Sequence, residues 1–399
     1  MVDEPTAQSI APASAVPGLR RPAVRRLVLG DFRSYPALDL SIEGDPIVLT
    51  GDNGAGKTNL LEAISLLSPG RGLRRAELAA CARIGGSGGW AASVEVAQDD
   101  GRVQLGTGLE APDHAGLQAR KYRIERAPVA SATAFAEHVR VVWLTPAMDG
   151  LFAGPAGERR RFLDRFVLAV DPGHGTRVNA LERALRNRNR LLEGSTYDAA
   201  WLDAAEREVA ELGVAVAAAR YECVSRLSTL IGAERDDASP FPWAALSLLG
   251  EVETLVAELP ALEVEERYRA MLRAGRGRDA AAGRTLTGPH VGDLVVRHGP
   301  KDAEAAKAST GEQKALLVGL VLAHARLVGA MSGIAPVVLL DEIAAHFDPT
   351  RRAALFGTLL KLGGQVWMTG ADPAVFAEIA DRAQMFEVRP GKVVSRATA

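Results

Sequence analysis

Gly51-Asp-Asn-Gly-Ala-Gly-Lys-Thr58 fits the phosphate-loop pattern G-x-x-x-x-G-K-[ST], and the rest of the sequence is read outward from it. Gly51, Gly54 and Gly56 let backbone N–H groups close round phosphates without Cβ clashes, with Asp52, Asn53 and Ala55 completing the cradle. Lys57 is expected to reach the β- and γ-phosphates of ATP. Thr58 opens the next helix, where its hydroxyl suits Mg²⁺ and the helix N-terminus adds positive partial charge. Pro46-Ile-Val-Leu-Thr50 reads as the buried strand entering the loop, and Asn59-Leu-Leu-Glu-Ala-Ile-Ser-Leu-Leu67 as the helix leaving it. The pattern also arises by chance in glycine-rich turns, so a second segment matters. Val337-Val-Leu-Leu-Asp-Glu342 places two carboxylates at the C-terminal end of an apolar strand, where open α/β sheets bind ligands. Asp341 is expected to join Thr58 at the Mg²⁺, and Glu342 to act as the catalytic base that orients and deprotonates the attacking water.

With 399 residues, 47% of them hydrophobic, the chain can bury a large core, and two or three structural units are expected. A net charge of −2 exerts no global pull on nucleic acid, so any DNA contact must rest on local basic patches. Cys81 and Cys223 have neither metal-ligand spacing nor a disulfide framework, as suits a reducing cytoplasm. No run approaches about 18 apolar residues, and Asp3 and Glu4 stand where an export leader would be basic, so neither a membrane span nor export is expected.

Residues 1–22 are rich in Ala, Pro and Ser and read as a disordered extension. Residues 23–155 form the first half of an ATPase unit. Strands at 26–29 and 38–42 precede the phosphate loop, and strands at 92–97, 103–106, 121–125 and 139–144 are expected to build an antiparallel sheet beside the nucleotide. Residues 156–280 turn helical. Val178, Leu181, Leu185, Arg188 and Leu192 alternate in steps of three and four, as do Leu202, Ala205, Val209, Leu212, Val216, Ala219, Cys223, Arg226 and Leu230. Gly194-Ser-Thr-Tyr-Asp198 supplies a turn and an N-cap, predicting a helical hairpin with arms of about 25 to 30 residues, roughly 40 Å long. A helix over 262–274 and a flexible loop over 275–283 follow. Residues 281–399 return to α/β character, with a strand at 294–297, a helix over 309–328 whose apolar face carries Leu316, Leu317, Leu320 and His324, and a strand at 365–368. The expected fold is an α/β P-loop ATPase head with an antiparallel sheet lobe, interrupted by a helical arm.

Ser309-Thr-Gly-Glu-Gln-Lys314 resembles the signature motif of ABC-type ATPases: Ser309, Gly311 and Gln313 match, and Glu312 replaces the second glycine. Such a motif lies at a helix N-terminus aimed outward, so two subunits must face each other with ATP between one phosphate loop and the other's signature. Asp348 is similar to the D-loop aspartate of that interface. Leu29-Gly-Asp-Phe-Arg-Ser-Tyr35, Gly54-Ala-Gly-Lys-Thr-Asn-Leu-Leu-Glu-Ala-Ile64, Gly157-Glu-Arg-Arg-Arg-Phe-Leu-Asp164, Leu185-Arg-Asn-Arg-Asn-Arg-Leu-Leu192 and Gly283-Arg-Thr-Leu-Thr-Gly-Pro-His290 narrow the choice. Across about residues 24–390 they closely resemble the RecF family of bacterial replication and repair proteins. The resemblance implies an ABC/SMC-type head, an ATP-dependent homodimer on gapped, single-stranded and double-stranded DNA, and slow DNA-stimulated ATP hydrolysis. It also implies SOS induction and work with RecO and RecR in loading recombinase at single-stranded gaps, with Arg33 and Tyr35 on the adenine side.

Three departures stand out. Val291, Gly292 and Asp293 follow His290 where Arg-Asp-Asp is frequent in the family. Trp143-Leu-Thr-Pro-Ala-Met-Asp149 lacks the Q-loop glutamine, leaving Thr145 or Asp149 in its place, and Thr369 stands where a transporter has its switch histidine. Of the 47 basic residues 7 are lysine, so candidate DNA contacts are arginines: Arg71, Arg74 and Arg75 after the first helix, and Arg159, Arg160, Arg161, Arg186, Arg188 and Arg190 near the base of the arm. Such runs are equally common on solvated faces. An ABC transporter subunit would need a conventional Q-loop and switch histidine, and an SMC-like tether would need longer arms.

Overall fold

A computed structural model describes residues 18–113, 118–193, 198–344 and 347–396. Four runs of consecutive apolar residues set the centre. In β3 (Ile47–Thr50), β8 (Val141–Leu144), β12 (Val337–Leu340) and β13 (Val366–Gly370) every residue is buried, a pattern that suits only a parallel sheet covered on both faces. The sheet runs β15-β14-β3-β13-β12-β8, with β14 (Gln384–Arg389) parallel to β3 and β15 (Lys392–Ser395) antiparallel at the edge. Val141 sits opposite Val337, so 139–144 belongs here and not in the antiparallel sheet where the sequence reading put it. Burial on both faces decides the matter, since the antiparallel lobe has one solvated face.

That lobe is ordered β2-β1-β4-β5-β6-β7. Its strands are β1 (Ala23–Phe32), β2 (Tyr35–Ser41), β4 (Trp90–Gln98), β5 (Gly101–Leu109), β6 (Arg120–Ile124) and β7 (Ala127–Pro128). The alternating burial of β4 and β5 turns one face onto α1 (Lys57–Ser65) and a shared core with Leu60, Leu61 and Ile64. Order begins before residue 23, because Arg20 N donates to Gly333 O at 3.0 Å and Ala335 N donates to Arg20 O at 2.8 Å. Residues 1–17 of the expected extension lie outside the described residues.

Beneath the parallel sheet runs α7 (Thr310–Ser332), with Leu316, Leu317 and Leu320 in the largest core cluster. His324 stacks on Phe166 at 3.7 Å, its Nε2 lies 3.0 Å from Phe166 O, and burial pushes its imidazole down to about 3. By length and composition α7 could cross a membrane, against the expectation that no segment could, but 72% of its most apolar window is buried inside this fold.

The insertion comprises α2 (Ala156–Val170), α3 (His174–Leu192), α4 (Ala199–Ala233), α5 (Glu251–Glu258) and α6 (Ala261–Ala282). The hairpin is unequal, 19 residues in α3 against 35 in α4. Asp198 caps α4 as expected, its carboxylate accepting from Ala200 N at 2.8 Å, while the turn 194–197 lies outside the described residues. The α4 stripe departs from strict heptads: Arg226 is exposed, and burial passes to Leu227 and Ile231, the drift of a straight helix. The insertion is not wholly helical either. β9 (Ala244–Leu249) pairs antiparallel with β10 (Asp293–His298), which also pairs with β11 (Ala303–Glu304).

Residues 275–282 continue α6 instead of forming a loop, and the helix ends at Gly283 with φ 63°. The cause is electrostatic. Arg188 is fully buried and donates to Glu206 (3.1 Å), Asp279 (2.8 Å), Thr285 Oγ1 (2.8 Å) and Leu272 O (2.8 Å). Arg276 closes the network on Glu206 at 2.6 Å. Low helix propensity over 275–282 is overridden by these contacts. Arg188→Met leaves Asp279 buried without a cation and should lower stability by about 3–5 kcal/mol, read as a reduced urea midpoint at unchanged m-value.

Candidate nucleotide site

The phosphate loop joins β3 to α1, and its glycines are fixed by close approach. Gly51 has φ 146° and a Cβ there would stand 2.2 Å from Val388 O; Gly56 has φ 114° and its Cβ would stand 2.7 Å from Tyr35 Oη. Lys57 Nζ donates to Gly51 O at 2.7 Å and Asp52 O at 3.0 Å, with Glu342 Oε1 at 3.8 Å. Thr58 Oγ1 lies 2.9 and 3.1 Å from the two Asp341 carboxylate oxygens, so the motifs at either end of the chain share one polar centre. Thr369 completes it: its Oγ1 donates to Asp341 Oδ1 at 2.7 Å and accepts from Glu342 N at 2.9 Å.

Glu342 has φ 52°, a left-handed conformation that costs a non-glycine residue on the order of 1–3 kcal/mol. The turn lifts its side chain out of the sheet, 35% exposed and toward Lys57. Sequence reasoning placed Thr369 at the switch-histidine position but missed this strain and the bonds of Thr369 to Asp341 and Glu342. A threonine in a strand normally signals packing, and only register places it between the two motifs. A hydroxyl and a carboxylate converging from α1 and β12 fit the hard-oxygen preference of Mg²⁺.

The adenine-side expectation is corrected for Tyr35. This side chain is fully buried, and its hydroxyl lies under the loop with Gly56 O at 3.2 Å, so it props the glycine turn. Arg33 is held by the buried Glu62 through two bonds of 2.8 and 2.6 Å and also donates to Ala80 O at 2.7 Å.

Ser309 caps α7 in a capping box with Glu312, which explains the glutamate in the place of a glycine. Lys301 donates to Glu312 Oε1 at 2.5 Å and holds that carboxyl down at about 2. Gln313 is buried and donates to Ala306 O and Ala308 O, while Ser309, Thr310 and Gly311 are exposed. Asp149, one of two stand-ins for the missing glutamine, pairs with Lys314 at 3.1 Å; the other, Thr145, is buried beside the site with no partner for its hydroxyl among the described residues. Asp348 caps α8 (Pro349–Lys361) by accepting from Arg351 N at 3.0 Å.

The arginines divide sharply. Arg188 is excluded from DNA contact by its burial. Arg159 is held by Asp293 at 2.9 and 2.7 Å, and Arg160 donates to Gly292 O at 2.7 Å, so the departure at 291–293 serves the joint between α2 and β10. Arg74 is exposed but tied to the buried Glu62 at 2.9 Å. Arg71, Arg75, Arg161, Arg186 and Arg190 remain exposed, with Arg161 and Arg186 pairing Glu158 and Glu182 on their own helices. The segments 185–192 and 283–290 meet where Thr285 Oγ1 lies 2.7 Å from Asn189 Oδ1, so their distinctive residues act mainly as internal fastenings.

The RecF/RecN/SMC N-terminal domain family matches residues 23–393. The chain is 55% identical over 370 residues to the DNA replication and repair protein RecF of Rhizobium rhizogenes, covering 93% of this chain and 98% of that protein. It belongs to the RecF family. The RecF of Rhizobium meliloti is also 55% identical, over 368 residues, covering 92% of this chain and 97% of that one. Among solved structures, the recombination mediator protein RecF-ATPrS of the RecFOR pathway superposes with a TM-score of 0.82 at 20% identity, covering 94% of this chain and 99% of that one. An Smc head bound to the C-terminal winged-helix domain of ScpA superposes at 0.50 and 16% identity, covering 94% and 97%. The fold is therefore that of RecF and SMC-type heads.

Burial pushes the Asp341 carboxyl up, against the opposing hydrogen bonds from Thr369 and Thr58. The native state thus binds more protons than the unfolded state between the ordinary and the raised value, and stability conferred at this residue falls as pH rises through that window. Urea midpoints of the wild type should decline relative to Asp341→Asn as pH rises above the ordinary carboxylate value of about 4.

Proposed function

We propose that the chain is a DNA replication and repair ATPase of the RecF kind, which binds ATP with Mg²⁺ and dimerises around it on DNA. One observation carries the reading: Thr58 on α1 and Asp341 after β12 meet within hydrogen-bond distance beside Lys57, an arrangement of hydroxyl, carboxylate and ammonium that suits phosphoryl transfer. Lys57 and the loop N–H groups, from Gly51 to Thr58, bind and orient the phosphates. Thr58 and Asp341 would hold Mg²⁺, which supplies charge neutralisation at the phosphate oxygens. Glu342, held on its strained turn and partly exposed, takes the proton of the attacking water.

Dimerisation is supported by the exposed first turn of α7. Ser309, Thr310 and Gly311 are exposed and none of them lines the cavity at Thr58 and Asp341, and at Gly311 a Cβ would meet only Arg351 Nη1 at 3.9 Å, which leaves room for a second surface. Asp348 caps the neighbouring helix at the same face. DNA contact rests on the exposed arginines 71, 75, 161, 186 and 190, and is expected to be phosphate-directed and sequence-independent. Slow turnover fits Thr369, a hydroxyl that cannot take up a proton as an imidazole can. Membership of the family supports cooperation with RecO and RecR in the cytoplasm, and recombinase loading at gaps during the SOS response.

Light scattering with and without ATP and gapped DNA, at two salt concentrations, tests the reading. Wild-type protein should double in mass with ATP. Lys57→Ala should lose both nucleotide binding and the dimer, and Ser309→Arg should lose the dimer alone. Glu342→Gln should hold the dimer on DNA for at least tenfold longer; wild-type release rates in that variant would remove Glu342 from the catalytic role.

A further inference from the structure

A cavity of about 870 Å³ extends from Thr58 and Asp341 across to the base of the arm, walled by residues 69–75, the loop after β8, α2 and α3. Its charges do not balance internally. Of the acids that line it, Glu158 is paired with Arg161 at 2.5 Å, Glu182 with Arg186 at 3.8 Å, and Asp164 with Arg220 at 2.8 Å and His174 at 2.9 Å. Asp341 belongs to the metal-ligand pair. Arg71, Arg75 and Arg165 line the same space with no carboxylate partner among the described residues.

Arg165 is the telling member. It is half-buried on α2, with its guanidinium 5.2 Å from the Trp143 ring centroid and 5.1 Å from that of Phe162, and its Nη2 lies 3.3 Å from Met148 Sδ. Aromatic faces and a thioether hold a cation in place but leave its hydrogen-bond donors largely unspent. Burial and the nearby charge of Arg75 push its guanidinium below its ordinary value, a cost to the charged form that a nearby anion would offset. Two deeply buried polar atoms on the same walls, Thr145 Oγ1 and His174 Nδ1, also lack partners.

We infer that this cavity is a phosphodiester-binding site, in which Arg71, Arg75 and Arg165 grip a single strand of nucleic acid beside the ATP site. Three guanidiniums, from residues 71 and 75 and from α2, suit the successive phosphates of a strand better than one small ion, while the buried Trp143 and Phe162 rings are spent on holding Arg165. The inference rests on the nucleotide-site reading above, and adds that strand and ATP occupy two ends of one cavity. Each should therefore change the other's affinity by the same factor.

Fluorescence anisotropy of labelled oligothymidylate, with and without a non-hydrolysable ATP analogue and over a salt series, tests it. Arg165→Gln should bind the strand about tenfold more weakly, with a salt slope shallower by about 0.7 and no change on adding the analogue. Arg165→Lys should recover part of the affinity, and the exposed Arg75→Gln should act in the same direction without threatening the fold. A fluorescent ATP analogue titrated without DNA should bind all variants as it binds wild type; failure to bind wild type would sink the nucleotide-site reading, while strand binding would still be measurable. Wild-type strand affinity and slope in both glutamine variants would overturn the inference. If those variants instead slowed release of inorganic phosphate, followed with a phosphate sensor, the arginines would belong to a product exit and the strand assignment would again fall.

Discussion

Thr369 sits on the strand between the phosphate-loop strand and the acidic strand, and its hydroxyl is the physical joint of the site. It donates to Asp341 and accepts from Glu342 N–H, while Thr58 reaches the same carboxylate from the other side. Because β13 pairs with both β3 and β12, the register Thr369↔Leu49 and Met368↔Leu340 fixes where loop and carboxylates meet. A slip of one residue would turn Thr369 away and separate the two halves. The site is thus a property of strand order before it is a property of any motif.

Much of this was legible in the sequence because the signals are local. The phosphate loop needs glycines at fixed offsets, and the acidic strand needs four apolar residues before two carboxylates. The N-cap at Asp198 is also written in a few adjacent residues. What could not be read was set by distant partners. Residues 141–144 have the same apolar run in either sheet, and only pairing with Val337–Leu340 tells which. Residues 275–282 look like a loop until Arg188, 91 positions before Asp279, supplies the charge that folds them into helix. Tyr35 carries a family segment, yet its contact with Gly56 makes it a prop and not a base-stacking face.

Arginine is where sequence and structure diverge most. The same residue type serves as an internal fastening at 159 and 188, a helix-surface pair at 161 and 186, and, among the described residues, a cation without a carboxylate partner at 71, 75 and 165. A guanidinium with five donors can satisfy several buried acceptors at once, so a chain rich in arginine can build its interior with them. Counting charge along the chain therefore overstates the surface available to DNA, and the informative arginines are those whose acids are already taken.

The strand β9 lies inside the insertion, yet its partner β10 belongs to the C-terminal half of the head, directly ahead of the segment leading to Ser309. The arm is consequently stitched into the head by a sheet and cannot swing as a free appendage on two loops. The same ladder links α4, which runs into β9, to the segment that follows β10 and leads to the first turn of α7. The β-ladder fastens the insertion to the head, so removing the insertion would also strip β10 of its longer partner strand.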